Sequence, residues 1–403
     1  MFKNTTLNLV LVFMITGNVF ASCIANNSSD NISITNAESK IAHELMHHVL
    51  SLYDVPERGL LSETYPVNPD HRVDYLDAGS VQKKHQEVSF LWPFSGALSG
   101  VVSLYGNTSK QEYLDILENN ILPGLEQYYD VSRLPAGYQS YPVFAGHSDR
   151  FYDDNVWLAL DFCKLYASTN NPNHLDKAIE IFDFVYSGWD DKVEGGIYWC
   201  EQSKNSKNTC SNAPGAVMAA KIYLLTKDEK YLQHAVDTYQ WTKKYLLDPN
   251  DFVYWDNVSL EGKVDKRKYS YNSGQMIEAA VLLYQITGEH SYLEDAQQTA
   301  KGSYNYFTKM VVTDNVEQRF YAESPWFNTI MLRGLKALYE VDGNGEYIAT
   351  MRSNVHYAWE NLRDENGLLS NSWYTKSDNP YKWLLDNACL IELFSELSVT
   401  SID

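Results

Sequence analysis

Two apolar helical patterns meet across a turn in the segment Leu283-Tyr-Gln-Ile-Thr-Gly-Glu-His-Ser-Tyr-Leu293. The first pattern ends in Leu283-Tyr284, Thr287-Gly288 provides the turn, and Tyr292-Leu293 opens the second pattern. The same arrangement recurs along the chain. Its aromatic anchors, 55 to 61 residues apart, are Tyr105, Tyr166, Tyr223, Tyr284, Tyr339 and Phe394. A period of this length accommodates two helices with their connections, so each unit is predicted to be a helical hairpin.

Six such hairpins, with residues 37–53 supplying the first outer helix, give twelve helices. The sequence therefore predicts an all-α fold, an (α/α)6 toroid in which six parallel inner helices are ringed by six outer ones. An open solenoid is the alternative, because stacked helical pairs follow the same local physics. No linker rich in proline, glycine or serine divides the repeat region, so we expect residues 38–403 to form one domain.

The first 37 residues read as an export segment. Lys3 precedes an apolar run that ends in Phe20-Ala-Ser-Cys23, a pattern typical of a signal peptide over residues 1–22. The Ala-Ser-Cys ending resembles a bacterial lipobox, which predicts lipidation of Cys23 and a flexible tether over residues 23–37. An ordinary cleaved signal peptide is the alternative. The expected location is that of an exported outer-membrane lipoprotein, on the cell surface or the periplasmic face.

The amino-acid composition indicates which kinds of partner the protein can bind. The formal charge is −20, which disfavours binding to phosphate backbones, so no nucleic-acid partner is expected. The chain contains 30 Tyr, 15 Phe and 10 Trp, side chains that suit a groove for neutral sugars as well as a helical core. Nothing in the sequence demands more than a monomer.

Polar and aromatic residues recur near the start of each predicted inner helix. In a toroid these starts meet at one end, where they also direct unpaired N–H groups. The residues concerned are Trp92 to Phe94, Asp153, Asp154, Asn212, Asn272, Trp326 to Asn328, Trp383 and Asp386. Any single Asp or Asn among these residues could be a simple helix cap. Together, two carboxylates among aromatic and amide side chains favour glycoside hydrolysis, since mutual repulsion raises one pKa and keeps one acid protonated.

The segment Arg150-Phe-Tyr-Asp-Asp-Asn-Val-Trp157 resembles the signature of glycoside hydrolase family 76, the endo-α-1,6-mannanases. The resemblance runs from about residue 38 to the end of the chain. Further segments resemble the family in the same order: Phe90–Gly96, Glu194–Trp199, Lys207–Asn212, Tyr269–Asn272, Pro325–Asn328 and Leu385–Ala388. Cys210 lies within one of these segments and Ser273 directly after another, at positions where we expect no fixed residue in the family.

The resemblance implies an (α/α)6 fold and a retaining reaction that needs neither metal nor cofactor. Asp153 would be the nucleophile and Asp154 the general acid and base, acting on the backbone of a yeast-type α-mannan from within the polymer. Hydrogen bonds to the sugar are expected from Asn212, Asn272 and Asn328. Stacking on the sugar is expected from Trp92, Trp157, Tyr198, Trp199 and Trp326.

Parts of the sequence are also compatible with other functions. Exo-acting α-mannosidases and unsaturated-uronide hydrolases share the fold class, and a glycan-binding lipoprotein would hold polysaccharide without cutting it. The zincin pattern His43-Glu-Leu-Met-His47 also occurs, but the extended motif is absent and the pattern falls on the first outer helix. We therefore interpret these histidines as helix surface or inter-helix packing.

The cysteines leave one question open. Cys163 and Cys389 fall inside apolar helical patterns and are expected to be buried thiols. Cys200 and Cys210 flank a polar loop, and in an exported protein they could form a disulfide.

Overall fold

Helices dominate the part of the chain that the computed structural model describes, residues 37–71, 73 and 86–402. The inner helices are α2 (Leu91–Thr108), α5 (Tyr152–Thr169), α7 (Thr209–Thr226), α9 (Ser270–Thr287), α11 (Pro325–Asp342) and α13 (Leu384–Ser398). The outer layer consists of α1 (Ala37–Leu52), α3 (Gln111–Ile116), α4 (Leu122–Glu126), α6 (Pro172–Tyr186), α8 (Glu229–Leu246), α10 (His290–Phe307) and α12 (Glu346–Asn361). A single π turn, Leu117–Ile121, joins α3 to α4 as one outer element. The predicted signal peptide, Cys23 and the tether up to residue 36 lie outside the described residues.

Burial separates the two layers. In α9 every residue from Ser270 to Leu283 is buried, as expected for a helix surrounded on all sides by protein. In α10 the buried residues are three or four positions apart, from Tyr292 through Ala296 to Phe307, which is the pattern of a helix with one face in solvent. The inner helices therefore form the core, and the outer helices cover it with one face each.

The ring is closed. Each inner helix packs against the next, from α2 through α5, α7, α9 and α11 to α13, and α13 packs against α2. The first outer helix, α1, lies against α13, so the two ends of the described chain complete one hairpin. The predicted toroid is confirmed, and the open solenoid is wrong, since its terminal repeats would not meet.

The aromatic anchors of the repeat mark the ends of the inner helices. After each of the first five inner helices the chain adopts the left-handed conformation, and the amide of that residue donates to the carbonyl of the anchor tyrosine four positions earlier. The pairs are Ser109 to Tyr105, Asn170 to Tyr166, Lys227 to Tyr223, Gly288 to Tyr284 and Gly343 to Tyr339, with N···O distances of 2.7 to 2.9 Å. Two or three residues then suffice to enter the next outer helix, which is why the sequence period is regular.

The connections from outer to inner helices are longer and contain the strands. These strands are β1 (Asp54–Val55), β2 (Leu60–Leu61), β3 (Thr64–Tyr65), β4 (Tyr129–Asp130), β5 (Gly137–Tyr138), β6 (Ser206–Asn208), β7 (Trp255–Ser259), β8 (Val264–Lys268), β9 (Thr308–Thr313), β10 (Val316–Tyr321) and β11 (Lys382–Trp383). The described strands pair antiparallel as β1–β2, β3–β11, β4–β5, β6–β7–β8 and β9–β10. They build up the end of the ring at which the inner helices begin.

Glycines allow α9 and α11 to approach closely. A Cβ atom at Gly334 would lie 2.0 Å from the carbonyl oxygen of Gly274, which is backbone and cannot move aside. We expect Gly334→Ala to lower the free energy of unfolding by about 3 kcal/mol, since overpacking there forces two core helices apart. Urea unfolding measures this loss. Gly106→Ala is the matched control on an inner helix, because its nearest neighbour is the flexible Lys164 side chain at 3.1 Å. Equal stabilities of the two variants would contradict the assignment.

The four cysteines of the described residues, Cys163, Cys200, Cys210 and Cys389, are free and buried. Burial of Cys163 and Cys389 confirms the expectation, and the suggested disulfide between Cys200 and Cys210 is not formed. In the part of the chain that the structure describes, every helix is too short or too polar to span a bilayer.

Candidate active site

The catalytic candidates Asp153 and Asp154 are the second and third residues of α5. The start of α5 is fixed by Arg150, whose buried guanidinium donates to both carboxylate oxygens of Glu201 at 2.5 and 2.6 Å. Its remaining nitrogen donates to the carbonyl of Pro135 at 3.0 Å, and the amide of Glu201 donates to the carbonyl of Arg150 at 3.0 Å. These contacts hold the first turn of α5 against the neighbouring connection, so the two carboxylates have a fixed direction.

The two aspartates differ in their electrostatic surroundings. Trp199 Nε1 donates to Asp153 Oδ2 at 3.1 Å. Burial raises the pKa of Asp153 to about 6, while hydrogen bonds from the Cys210 thiol and the Trp199 indole oppose that rise. For Asp154, burial and the neighbouring charge of Asp153 both act upward and raise its pKa well above the usual range. Asp153 therefore ionises first, and Asp154 keeps its proton.

An aromatic cluster lies beside this pair, where the inner helices begin. Trp326 is its centre, with ring centroids 5.1 Å from Trp92, 5.3 Å from Trp157 and 5.4 Å from Tyr271. Trp92 also contacts Trp383 at 5.4 Å. Since these residues come from α2, α5, α9, α11 and β11, the contacts show that the inner helices start at one end of the ring. We call this end the mouth.

The aromatic residues that were predicted to stack on the sugar differ in their solvent exposure. Trp157 and Trp326 are only 4% and 5% exposed, so they support the mouth from below and do not offer a free ring face. Trp92 and Trp199 are partly exposed. Tyr198 is fully buried and donates to Asp190 Oδ2 at 2.8 Å, so the expectation that it stacks on a sugar is corrected.

Asn212 has a different role from the one predicted. Its Oδ1 accepts from the amide of Ile197 at 2.7 Å, and its Nδ2 donates to the carbonyls of Ile197 and Asn208, both at 2.8 Å. The side chain is fully buried, and these three bonds use it to hold a connection against α7. The expectation of a sugar contact is corrected, because no polar atom of Asn212 is left for a ligand.

Asn272 and Asn328 retain unused hydrogen-bonding atoms. Asn328 Nδ2 donates to the carbonyl of Glu323 at 2.9 Å, whereas its Oδ1 has no partner among the described residues. In Asn272 neither amide atom has a partner within the described chain, although the residue is fully buried. A buried amide without partners is costly, so these atoms are available to a ligand or water at the mouth.

Two further carboxylates were not among the predicted catalytic residues. Asp256, on β7, accepts from Asn257 at 3.1 Å and Arg267 at 3.2 Å, and burial raises its pKa to about 6. Burial raises the pKa of Asp386, the third residue of α13, to about 7. The repeat had placed Asp386 at the mouth, and the structure shows that it shares its position in the inner helix with Asp154 and Asn272. No comparable signal in the sequence marks Asp256, which lies on a strand that the helical repeat does not contain.

A cavity of about 440 Å³ opens at the mouth between α2, α11 and α13. Its lining combines the aromatic side chains Trp92, Phe327, Trp383 and Tyr381 with the carboxyl group of Asp386. Flat apolar faces together with a few polar atoms are suited to a carbohydrate ring. The cavity extends the mouth away from α5 and its two aspartates.

The interior below the aromatic cluster is charged and internally paired. Arg333 donates to both oxygens of Glu392 at 2.6 and 2.8 Å and lies 6.0 Å from the ring of Trp157. Asp161, two turns below the catalytic candidates on α5, accepts from Ser99 at 2.7 Å, and burial raises its pKa to about 7. Because these groups satisfy one another, they form a rigid base and do not reach the mouth.

The fold and the site described above are similar to those of known proteins. The model of glycosyl hydrolase family 76 matches residues 39–401. A family 76 glycoside hydrolase from a bovine Bacteroides thetaiotaomicron strain is 32% identical, with a TM-score of 0.80 over 91% of this chain and 78% of that chain. A family 76 mannosidase from B. thetaiotaomicron VPI-5482 is 29% identical, with a TM-score of 0.81 over 90% and 98% of the two chains. Mannan endo-1,6-alpha-mannosidase DCW1 of Saccharomyces cerevisiae is 29% identical over 154 residues, 36% of this chain and 34% of that protein.

The extent of these matches differs. The chain spans about half the length of the first curated relatives it matches, 52% and 46%. The family match begins in the first turn of α1 and ends beyond α13, so it includes all six hairpins and the Asp153–Asp154 pair. The protein belongs to glycosyl hydrolase family 76.

Proposed function

We propose that this protein is a retaining endo-α-1,6-mannanase in which Asp153 is the nucleophile and Asp154 the general acid and base. The observation that carries the proposal is the unequal carboxylate pair at the mouth, one member ionising near pH 6 and the other keeping its proton. A retaining glycosidase requires these two states together. The name of the related B. thetaiotaomicron mannosidase supports a mannoside substrate, and that of DCW1 supports the α-1,6 linkage.

In the first step an Asp153 carboxylate oxygen attacks the anomeric carbon, and Asp154 gives its proton to the departing glycosidic oxygen. The bond to the leaving sugar breaks as the ester bond to Asp153 forms. In the second step Asp154, now ionised, takes a proton from water while the water oxygen displaces Asp153. The Trp199 hydrogen bond stabilises the carboxylate before attack and after release. Two inversions leave the product with the α configuration of the substrate.

The mouth suits a neutral polymer. We propose that Trp92 and Trp199, both partly exposed, contact sugar faces, and that the free atoms of Asn272 and Asn328 accept or donate to sugar hydroxyls. Trp326 packs against Trp92, and Trp157 packs in turn against Trp326. The cavity beside Asp386 gives the polymer room beyond the bond that is cut.

Incubation with debranched α-1,6-mannan, followed by chromatography over time, tests the function. An endo-acting enzyme releases a ladder of oligosaccharides, whereas an exo-α-mannosidase releases mannose from the start. NMR of the first products identifies their anomeric configuration, and β products would contradict a retaining reaction. Binding of the polymer without any products would favour the alternative of a glycan-binding lipoprotein.

The pH profile of kcat/KM is expected to be bell-shaped. Activity falls below pH 6, because Asp153 becomes protonated, and falls again at higher pH, because Asp154 loses its proton. Trp199→Phe removes a hydrogen bond that favours the charged form of Asp153, so its pKa rises and the acidic limb moves to higher pH. An acidic limb that stays in place in this variant would contradict the assignment of Asp153 to it.

We also propose that the protein is exported, lipidated at Cys23 and monomeric. The support is the sequence of the first 23 residues. Metabolic labelling with palmitate tests the anchor, and Cys23→Ser is expected to abolish both the label and membrane association. Sedimentation of the protein without its lipid tests the oligomeric state.

A further inference from the structure

A cluster of potential metal ligands lies on the outer layer, apart from the residues of the mouth. His43 and His47 are four residues apart on α1 and therefore share a face of that helix. Glu112, in the first turn of α3, places Oε1 2.7 Å from His47 Nε2. One ligand atom from each of the three residues lies within 4.8 Å of the others.

We propose that His43, His47 and Glu112 bind one Zn²⁺ ion that links α1 to α3. Two imidazole nitrogens and one carboxylate oxygen form a ligand set that zinc prefers, whereas calcium and magnesium prefer oxygen alone. Tetrahedral zinc sites have ligand bonds of about 2.0–2.2 Å, which puts their ligand atoms about 3.4 Å apart. To admit the ion, His47 Nε2 and Glu112 Oε1 must therefore separate slightly from their 2.7 Å hydrogen bond, and the cluster, which lies within 4.8 Å, must close around it. His47 and Glu112 are each nearly half exposed, which leaves the fourth position to water.

Tyr113 prepares His43 for this role. The buried Tyr113 hydroxyl lies 3.0 Å from His43 Nδ1, which fixes the orientation of the imidazole ring. When Nδ1 donates its proton to this hydroxyl, Nε2 has a free electron pair for the metal.

The site is structural and not proteolytic. In a zincin the glutamate next to the first histidine acts as the base. Here that residue, Glu44, lies 3.7 Å from Lys40 on the exposed side of α1. The third ligand instead comes from α3, 65 residues beyond His47 in the chain. Because α1 also packs on α13, the ion would tie the helix that closes the ring to the next outer element.

Calorimetric titration of the metal-free, tag-free full chain with zinc chloride tests the proposal. We expect one Zn²⁺ per chain and a rise in the thermal midpoint of unfolding with excess zinc. His47→Ala and Glu112→Gln are expected to weaken binding at least 10-fold and to abolish the rise. Tyr113→Phe should weaken it about 10-fold, as expected for a group that orients a metal ligand.

His48→Ala is the matched control. His48 neighbours His47 on α1, but its Nε2 hydrogen-bonds the carbonyl of Asn366. We expect this variant to bind zinc like the parent. The proposal is overturned if the parent binds no zinc at about 0.1 mM, a concentration far above that needed to fill structural zinc sites, or if His47→Ala binds it as tightly as the parent. The outcome is independent of mannan hydrolysis, because none of these residues lies at the mouth.

Discussion

Asp153→Asn is expected to reduce kcat on α-1,6-mannan by about 10⁴-fold or more, which is the scale of losing a nucleophile. The amide has nearly the same shape as the carboxylate, and its oxygen can still accept from Trp199 Nε1. It lacks the charge and the nucleophilic oxygen needed to form an ester with the anomeric carbon. The substitution therefore removes the chemistry and leaves the first turn of α5, held by Arg150 and Glu201, in place.

The control for this variant is on the same helix. Asp161→Asn makes the same chemical change at a buried aspartate two turns below, which Ser99 holds by a hydrogen bond. Burial raises the pKa of Asp161 to about 7, so neutralising it should cost little, and activity should stay within a few-fold of the parent. Reducing-sugar release measured for both variants decides the question. More than a tenth of the parent activity in Asp153→Asn would exclude Asp153 as nucleophile.

The ring of helices could be predicted because the residues that end each inner helix recur at a regular spacing in the sequence. Each of the first five anchors, such as Tyr284, is followed four positions later by a residue in the left-handed conformation, such as Gly288. Only two or three residues connect each of these inner helices to the next outer helix, so the length of the turn varies little. Closure of the ring was inferred from the number of hairpins, and only the packing of α13 on α2 establishes it. The strands could not be predicted, because segments such as Val264–Lys268 are short and show no alternation of apolar and polar residues.

For the site, the sequence predicted the position of the carboxylate pair but not the roles of some other residues. Asp153 and Asp154 lie where the repeat placed them, at the start of α5. Asn212 was assigned to the sugar because a polar residue at a helix start looks available. The sequence does not show that the amide and carbonyl of Ile197 need its side chain as a partner. Asp256 was missed for a related reason, since it lies on β7, which pairs with the distant strand β6 as well as with its hairpin neighbour β8.

Asp154→Asn is expected to reduce hydrolysis of mannan by about 10²–10⁴-fold, the usual contribution of a general acid. The loss should depend on the leaving group. In an aryl α-1,6-mannobioside the leaving group can be a strongly acidic phenol, which departs as the phenolate and needs no proton. The first step with this substrate should therefore proceed at nearly the parent rate. The glycosyl-enzyme then accumulates, because no base activates water. Azide needs no base, and we expect it to restore turnover and to give the α-1,6-mannobiosyl azide with the α configuration at the new bond.

The pH profile of the same variant separates the two aspartates further. In the parent, Asp153 ionises beside a protonated, neutral Asp154, and asparagine is neutral as well. The acidic limb near pH 6 should therefore remain, while the basic limb, which reports loss of the Asp154 proton, should disappear for the aryl substrate. If the roles were reversed, Asp154→Asn would hydrolyse this substrate no better than mannan, and azide could give only the inverted β azide by direct displacement. Product analysis by NMR together with the pH profile thus assigns each carboxylate its step.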